Sequence, residues 1–535
     1  MSALRTASLA VPLLVPCVQA QDVSLFPMVP AEITGGERYG ASVDLDGAVA
    51  AIGATFFEDP AFGTVGEGAV FLVDTETGSV LHKLLHTPFV SVEQLGRAVA
   101  IDGGRVLATI DPASSLEKAF VFDVSTGQEL MELIPVTGGA HQDFGNSADL
   151  AGGVAIVGDR FWRPSLFVSS GKGAAYAFDV ATGQQLYEFE ETSNADIGWL
   201  GEAVATDGLR ALCGAPRTDE GGTDRGAAYL YELAGGTRIQ KLLPAGLLPG
   251  DQFGGSVALG DGYAAVGAAG DDELGSFAGK VYVFDAVTGA LVRIHTASDG
   301  VAGHAFGASV RVDGGLLYVG ASGLSAAQAG KGAVYVYDLV SGAELYALKD
   351  AAPVPEPVLG GVLAVSGGRL LHGNSGDDTL GMNAGTAKYF ELPRALFGAP
   401  GSVSASAGGT QSLALVGWPV QEGNTYLLLG SLSGTSPGTP TGAAPGAPVL
   451  PLAFDGYLAY TLGSAGSGAP PLAGALGLFD STGAAAAGFS LPPLSPPSLA
   501  GLTAHHAFAV IDFTPLPGQP MIDAVSGAVA VSLVP

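Results

Sequence analysis

The stretch Phe253-Gly254-Gly255-Ser256-Val257, followed by Asp261-Gly262, then Gly279-Lys280-Val281-Tyr282-Val283-Phe284-Asp285 and Thr288-Gly289, decides the fold because its pattern occurs seven times. Its first glycine returns at Gly40, Gly96, Gly145, Gly201, Gly254, Gly307 and Gly360, at intervals of 56, 49, 56, 53, 53 and 53 residues. The acid that closes the aromatic run keeps the same beat: Asp74, Asp123, Asp179, Glu232, Asp285, Asp338, Glu391. A fixed period of this length marks one supersecondary unit stacked many times. Within the unit, Ser256 to Leu259 alternates, and Asp261-Gly262 reads as a hairpin turn whose two residues both need positive φ. The same dipeptide stands at Asp46-Gly47, Asp102-Gly103, Asp207-Gly208 and Asp313-Gly314. Lys280 to Asp285 is rich in β-branched and aromatic residues, Thr288-Gly289 closes a second hairpin, and Leu291 to His295 returns. Four short antiparallel strands per unit make a propeller blade. The expected fold class is all-β, a seven-bladed β-propeller.

The seventh unit ends at Tyr389-Phe390-Glu391-Leu392 without a Thr-Gly hairpin, while Val23 to Phe26 precedes the first unit without a partner. This N-terminal strand is expected to complete the seventh blade and so remove an open sheet edge. Beyond Leu392 the beat stops. The chain therefore divides into a signal peptide (1–20), the propeller (21–392), a Pro/Gly/Ser/Ala-rich linker (393–409) and a C-terminal β-sandwich of short strands (410–535).

A net charge of -29 excludes nucleic acid and an anionic membrane surface as partners, because phosphate binding needs a basic footprint. Arg5, the apolar Leu9 to Val15 and Val18-Gln19-Ala20 form a secretory signal, which implies a secreted or cell-surface protein. No other stretch is apolar and long enough to span a bilayer. Cys17 leaves with the signal, so the mature chain holds Cys213 alone and forms no internal disulfide; Ala211-Leu212-Cys213-Gly214-Ala215 reads it as a small buried hydrophobe. A monomer is expected.

The Phe-Gly opening, Gly214-Ala215-Pro216 and the closing aromatic strand resemble FG-GAP repeats, the blades of the integrin α-chain head and of many bacterial exported proteins. The resemblance runs from about Gly35 to Leu392, with Leu95, Leu200 and Leu359 replacing the opening aromatic. It implies a seven-bladed propeller, an extracellular location, calcium in blade loops, and adhesion or ligand binding. The equivalent loops hold Asp271, Asp272 and Glu273 before Gly275, Asp377 and Asp378 before Gly381, and Asp219-Glu220 with Asp224. These are the candidate calcium ligands. The alternating carboxylates that converge on a hard cation are missing from them, so a solvated acidic loop is the competing reading.

Other chemistry finds less support. Asp179 to Leu186 resembles the hairpin of pyrroloquinoline-quinone propellers, but Tyr187, Met131, Arg293, Tyr346 and His82 stand where those repeats carry Trp, and turn chemistry explains the shared residues. Gly434-Thr435-Ser436-Pro437-Gly438 matches a nucleophile-elbow string outside a strand-to-helix context. His505 and His506 are adjacent in a strand, so their side chains point to opposite faces. No catalytic residue and no cofactor besides calcium is assigned. The leading reading is a non-enzymatic binding or adhesion protein that takes a protein or glycan through loops on one propeller face, with Phe161, Trp162 and Phe167 as contact candidates. The alternative is a quinoprotein-like oxidoreductase or a glycan-active propeller enzyme. Acids converging with a basic residue in the central channel would favour the enzyme, and an apolar channel would not. A surface-layer component anchored by its C-terminal region is the third.

Overall fold

The computed structural model describes residues 28–59, 66–87, 93–111, 118–136, 140–164, 171–191, 198–323, 332–349 and 360–391, and the strands within 395–534. Two compact units divide the chain, Met1–Glu391 and Leu392–Pro535.

The first unit is a seven-bladed propeller. The fifth blade shows the plan: Ser256–Gly260, Tyr263–Ala268, Lys280–Asp285 and Leu291–His295 pair antiparallel in that order from the inside out. Blades one to six are such four-stranded sheets. The seventh has three strands among the described residues, Val362–Ser366, Arg369–Asn374 and Thr386–Glu391. The strand expected at Val23 to Phe26 lies outside the described residues. The two middle strands of a blade are buried almost throughout, whereas Leu291–His295 is mostly exposed. Apolar residues on both sheet faces fit this, since each blade packs between two neighbours.

The opening aromatic is the packing wedge. Phe306 is fully buried and stands edge-on to Tyr335 at 5.4 Å, as Phe253 does to Tyr282 at 5.3 Å and Phe144 to Tyr176 at 5.7 Å. Four of the residues at the wedge position also bridge the preceding blade in parallel: Gly226 with Phe253, Gly279 with Phe306, Gly173 with Leu200 and Gly68 with Leu95. The same bridge joins Gly385 of the seventh blade to Tyr39 of the first, and Tyr39, Val43 and Phe71 share a core with Leu371 and Tyr389. The ring is therefore closed by the repeat's own joint.

Close approach at these joints explains a second glycine. An added Cβ on Gly267 would lie 2.2 Å from the Gly307 carbonyl oxygen, which also accepts a 2.7 Å bond from Ser256 Oγ. The motif recurs as Ser42 to the Gly96 carbonyl (2.7 Å), Ser147 to Gly201 (2.8 Å) and Ser309 to Gly360 (2.8 Å). In the second blade Thr109 replaces the strand glycine and its own hydroxyl reaches the Gly145 carbonyl at 2.7 Å.

The hairpins need one correction. Asp261 (φ 52°) and Gly262 (φ 79°) do form the two-residue turn. At Asp102 and Asp313 the acid instead ends its strand, paired with Arg105 and Leu316, and the turns are Gly103-Gly104 and Gly314-Gly315. Asp46 likewise pairs with Val49, ahead of Gly47. Glycine pairs satisfy the positive-φ requirement better than Asp-Gly. The acids are left free to bond elsewhere.

The beat acid caps the outer hairpin. Asp179 Oδ1 accepts from the amides of Ala181 (2.9 Å) and Thr182 (2.8 Å) and from Thr182 Oγ1 (2.9 Å), and Asp74, Asp123 and Asp285 repeat this. Bonds from hydroxyls and amides hold these carboxyls below the usual range, Asp123 at about 2. Their contribution is complete above the ordinary carboxylate pKa and is lost as pH falls through the lowered one. Asp179→Ala is expected to cost about 0.5–1.5 kcal/mol, read as a lower urea midpoint. Cys213 is fully buried, and burial pushes its thiol well above the usual value, in keeping with a packing role.

The second unit is all-β. One sheet orders Ala395–Ala399, Gly409–Val416, Ala484–Leu491 and Leu472–Ala473. A second runs Ser402–Ser404, Val529–Val534, Thr503–Asp512, Thr425–Ser431 and Leu476–Leu478, with Met521–Val525 paired to Thr503–Asp512, and Thr439–Pro440 pairs with Val449–Leu450 in a third. Much of the segment 393–409 is thus strand rather than linker. Its Ala/Gly/Ser composition hides this, because the pairing partners are distant in sequence. His505 and His506 occupy consecutive positions of Thr503–Asp512.

Candidate functional site

Two places gather chemistry. The first is the propeller's centre, where the inner strands line a cavity of about 260 Å³ with Asp44, Asp46, Asp102, Asp149, Asp313, Arg311, Thr206 and Ser366 among its walls. Acids and a basic residue do converge there. Most of these acids are also joints. Asp44 Oδ2 accepts from the Ile101 amide (2.7 Å) and Asp149 Oδ2 from the Thr206 amide (2.6 Å), each on the next blade. One layer further out, Asp46 Oδ2 accepts from Gly103 N (3.2 Å), Asp102 Oδ2 from Gly152 N (2.9 Å) and Asp261 Oδ2 from Gly315 N (2.8 Å), while Ser366 Oγ accepts from Gly47 N (3.1 Å).

Asp44 faces the cavity and is half-buried among the inner strands. Burial, and next the like charge of Asp149, raise its pKa to about 7 against the opposing pull of Arg311 and the backbone amides. Burial also raises Asp149, with the Thr206 amide and Arg311 opposing. Asp46 and Asp313 are raised by burial and then by the neighbouring Asp102 and Asp261.

The second place is the rim opposite those inner hairpins, formed by the loops after the second strands. Phe161 of the third blade meets Trp199, which leads into the fourth, edge-on at 5.2 Å. Arg160 lies 4.8 Å from the Phe161 ring and Arg217 4.3 Å from the Trp199 ring. Arg160 pairs with Asp143 and with Glu202 (3.2 Å), and Arg217 with Asp224 (3.2 Å). Both rings are half-buried. The left-handed φ of Trp199 (54°) is shared by Arg38, Gln94, Gln252 and Ala305, so it belongs to the entry turns of five blades.

Of the contact candidates, Phe161 is in this cluster. Trp162 is not a surface residue: it is 3 % exposed and packs in the core around Phe144, Tyr176 and Phe178. Phe167 lies outside the described residues. Of the calcium candidates, Asp271 and Glu273 are brought together on the ammonium of Lys280, with Asp271 Oδ2 at 3.0 Å. Asp272 Oδ1 instead accepts from Phe277 N (2.7 Å). Asp377 accepts from Thr379 N (2.8 Å) and Thr386 Oγ1 (2.9 Å), and Asp378 from Asn383 N (2.6 Å). In the fourth blade Asp219 accepts from Asp224 N (2.8 Å) and Glu220 pairs with Lys241 (2.7 Å). The shared function of Asp219, Asp272 and Asp378 is to accept an amide five residues on, which shapes the loop leading to the third strand.

A family model for FG-GAP repeats matches residues 237–284 and 292–337. The seven-bladed propeller carries FG-GAP repeats. Each matched FG-GAP segment runs from the outer strand of one blade through the wedge to the third strand of the next, so the sequence repeat straddles a blade joint. Among solved structures, the FG-GAP propeller is similar to the β-propeller domain of the trilobed protease from Pyrococcus furiosus (10% identity, 62% of this chain and 88% of that one, TM-score 0.37). It is also similar to a europium-containing methanol dehydrogenase (13% identity, 70% and 83%, TM-score 0.37). No curated protein sequence matches it. Among the described residues of this FG-GAP chain, no helix is long and apolar enough to cross a membrane.

Proposed function

We propose that this FG-GAP propeller is an exported, non-catalytic recognition protein that binds a protein or glycan through the loop rim of its third and fourth blades. The observation that carries the reading is the Phe161–Trp199 pair, two half-buried rings from different loops held edge-on and flanked by Arg160 and Arg217. Aromatic and arginine anchors fixed on a rigid scaffold are the side chains that dominate binding energy. Residues 1–20 act as the export signal, and the C-terminal unit folds as a β-sandwich that presents or retains the propeller. Any calcium is bound by the loops of Asp271 to Glu273 and of Asp377 and Asp378. Melting with calcium and with chelator tests this, since a native-state ligand must raise the midpoint.

The rim is tested on glycan arrays and on immobilised extracellular-matrix proteins. Trp199→Ala and Arg217→Ala should weaken any binding found with the parent chain by about 30-fold or more. Equal binding by parent and variants would remove the rim from the function.

One observation favours the alternative of a glycan-active enzyme. The channel places a carboxyl with a pKa near 7, Asp44, close enough to Asp149 to feel its charge, with Arg311 nearby. Hydrolysis of oligosaccharides by the parent, abolished by Asp149→Asn, would establish that reading.

A further inference from the structure

We propose that His86, Glu129 and Glu132 form a binding site for a divalent transition metal, with zinc the best fit, at the outer joint between the first and second blades. One donor atom from each residue lies within 4.8 Å of the other two. His86 follows the outer strand Val80–Leu84 of the first blade, and both glutamates lie on the outer strand Glu129–Leu133 of the second. One imidazole and two carboxylates suit zinc rather than calcium, which prefers oxygen alone. Three protein donors leave a fourth position for water.

The neighbouring joints show what is particular here. At the fifth-to-sixth joint Ser298 Oγ donates to Glu344 at 2.7 Å, and at the second-to-third the Val136 amide donates to Gln185 at 2.8 Å. In each case the first residue of an outer strand accepts a bond from the end of the preceding blade. At the first-to-second joint the acceptor is Glu129, 2.8 Å from His86 Nδ1. The partner is thus a nitrogen that can ligate a metal, and Glu132 adds a second carboxylate. The His86 ring is 9 % exposed and packs 4.2 Å from Phe120, which fixes its plane.

A cation already visits this cluster. Lys118 Nζ pairs with Glu132 at 2.7 Å, on a side chain that is one-quarter exposed and can swing into solvent. A metal must displace that ammonium. It must also find Nδ1 without its proton, in the tautomer that carries hydrogen on Nε2.

The test is titration of the full chain with zinc chloride, by calorimetry and by melting, against magnesium and calcium. The parent should bind zinc in preference to both, with a melting rise of about 2 °C at 100 times the dissociation constant. Lys118→Met should bind about tenfold more tightly, because a competing charge is gone. His86→Gln, which keeps a donor to Glu129 and so keeps the joint, should lose the zinc response. Three results would overturn the proposal: no zinc response in the parent, a response confined to Lys118→Met, or a response that survives in His86→Gln.

Discussion

Gly267→Ala should destabilise the propeller by about 3 kcal/mol, while Gly255→Ala should be close to neutral. Gly267 has ordinary strand φ, so backbone strain plays no part. Its added Cβ meets backbone of the next blade, the Gly307 carbonyl oxygen at 2.2 Å, and Ser256 Oγ at 2.3 Å. A side chain could turn aside, but a carbonyl locked in a blade joint can retreat only by parting the two blades. Gly255 lies in the same repeat, exposed, and its nearest neighbour to an added Cβ is the Gln252 oxygen at 3.3 Å. Urea unfolding of both variants decides the matter. Ser256→Gly should fail to rescue Gly267→Ala, because the carbonyl remains. A Gly267→Ala midpoint equal to the parent's would show that the joints yield more readily than their spacing implies.

Asp44→Asn should raise the melting temperature at pH 8 by about 2 °C or more, with no gain at pH 4. The sign follows from a carboxyl whose folded pKa, about 7, lies above its ordinary value. Between about pH 4 and 7 the folded chain keeps a proton that the unfolded chain has lost, so stability falls as pH rises through that window. Asparagine cannot ionise, yet its side-chain oxygen can still accept the Ile101 amide that Asp44 Oδ2 accepts at 2.7 Å. Arg311→Met should act in the opposite direction at pH 8, since it removes the one cation that lowers both Asp44 and Asp149. Melting curves of the three proteins across pH 4 to 8 give the comparison. A pH-independent gain in Asp44→Asn would mean that the carboxyl is already ionised in the folded ring.

The blades were legible because their determinants are local and repeated. A wedge aromatic, a strand glycine and a capping acid each satisfy a need that returns at every joint, so seven copies vote together. The rim pair was not. Trp199 and Phe161 sit at different repeat positions and meet only because the third blade's loop leans on the entry to the fourth. Trp162, adjacent to Phe161, drew attention as an aromatic in a loop; the chain there turns its ring into the core instead. The channel did leave a trace. The fourth residue after each opening glycine reads Asp44, Ala100, Asp149, Ala205, Ala258, Arg311 and Ala364, so three copies carry charge where four carry alanine. That contrast is invisible to a search for what the repeats share. The acidic loops hold a contact that local sequence does not display: Lys280, on the following strand, lies between Asp271 and Glu273.

The bridge from Gly226 to Phe253 has its counterpart from Gly385 to Tyr39, and both run the same way round the ring. The propeller therefore has a sense of rotation, and the joint between its last and first blades is of the same kind as those within it. A circularly permuted chain opened at half-buried Gly300, between the fifth and sixth blades, with old ends tethered, should reassemble with the described joints in place. The count of seven, rather than the order of the blades along the chain, then sets the bore of the channel and how near Asp44 stands to Asp149.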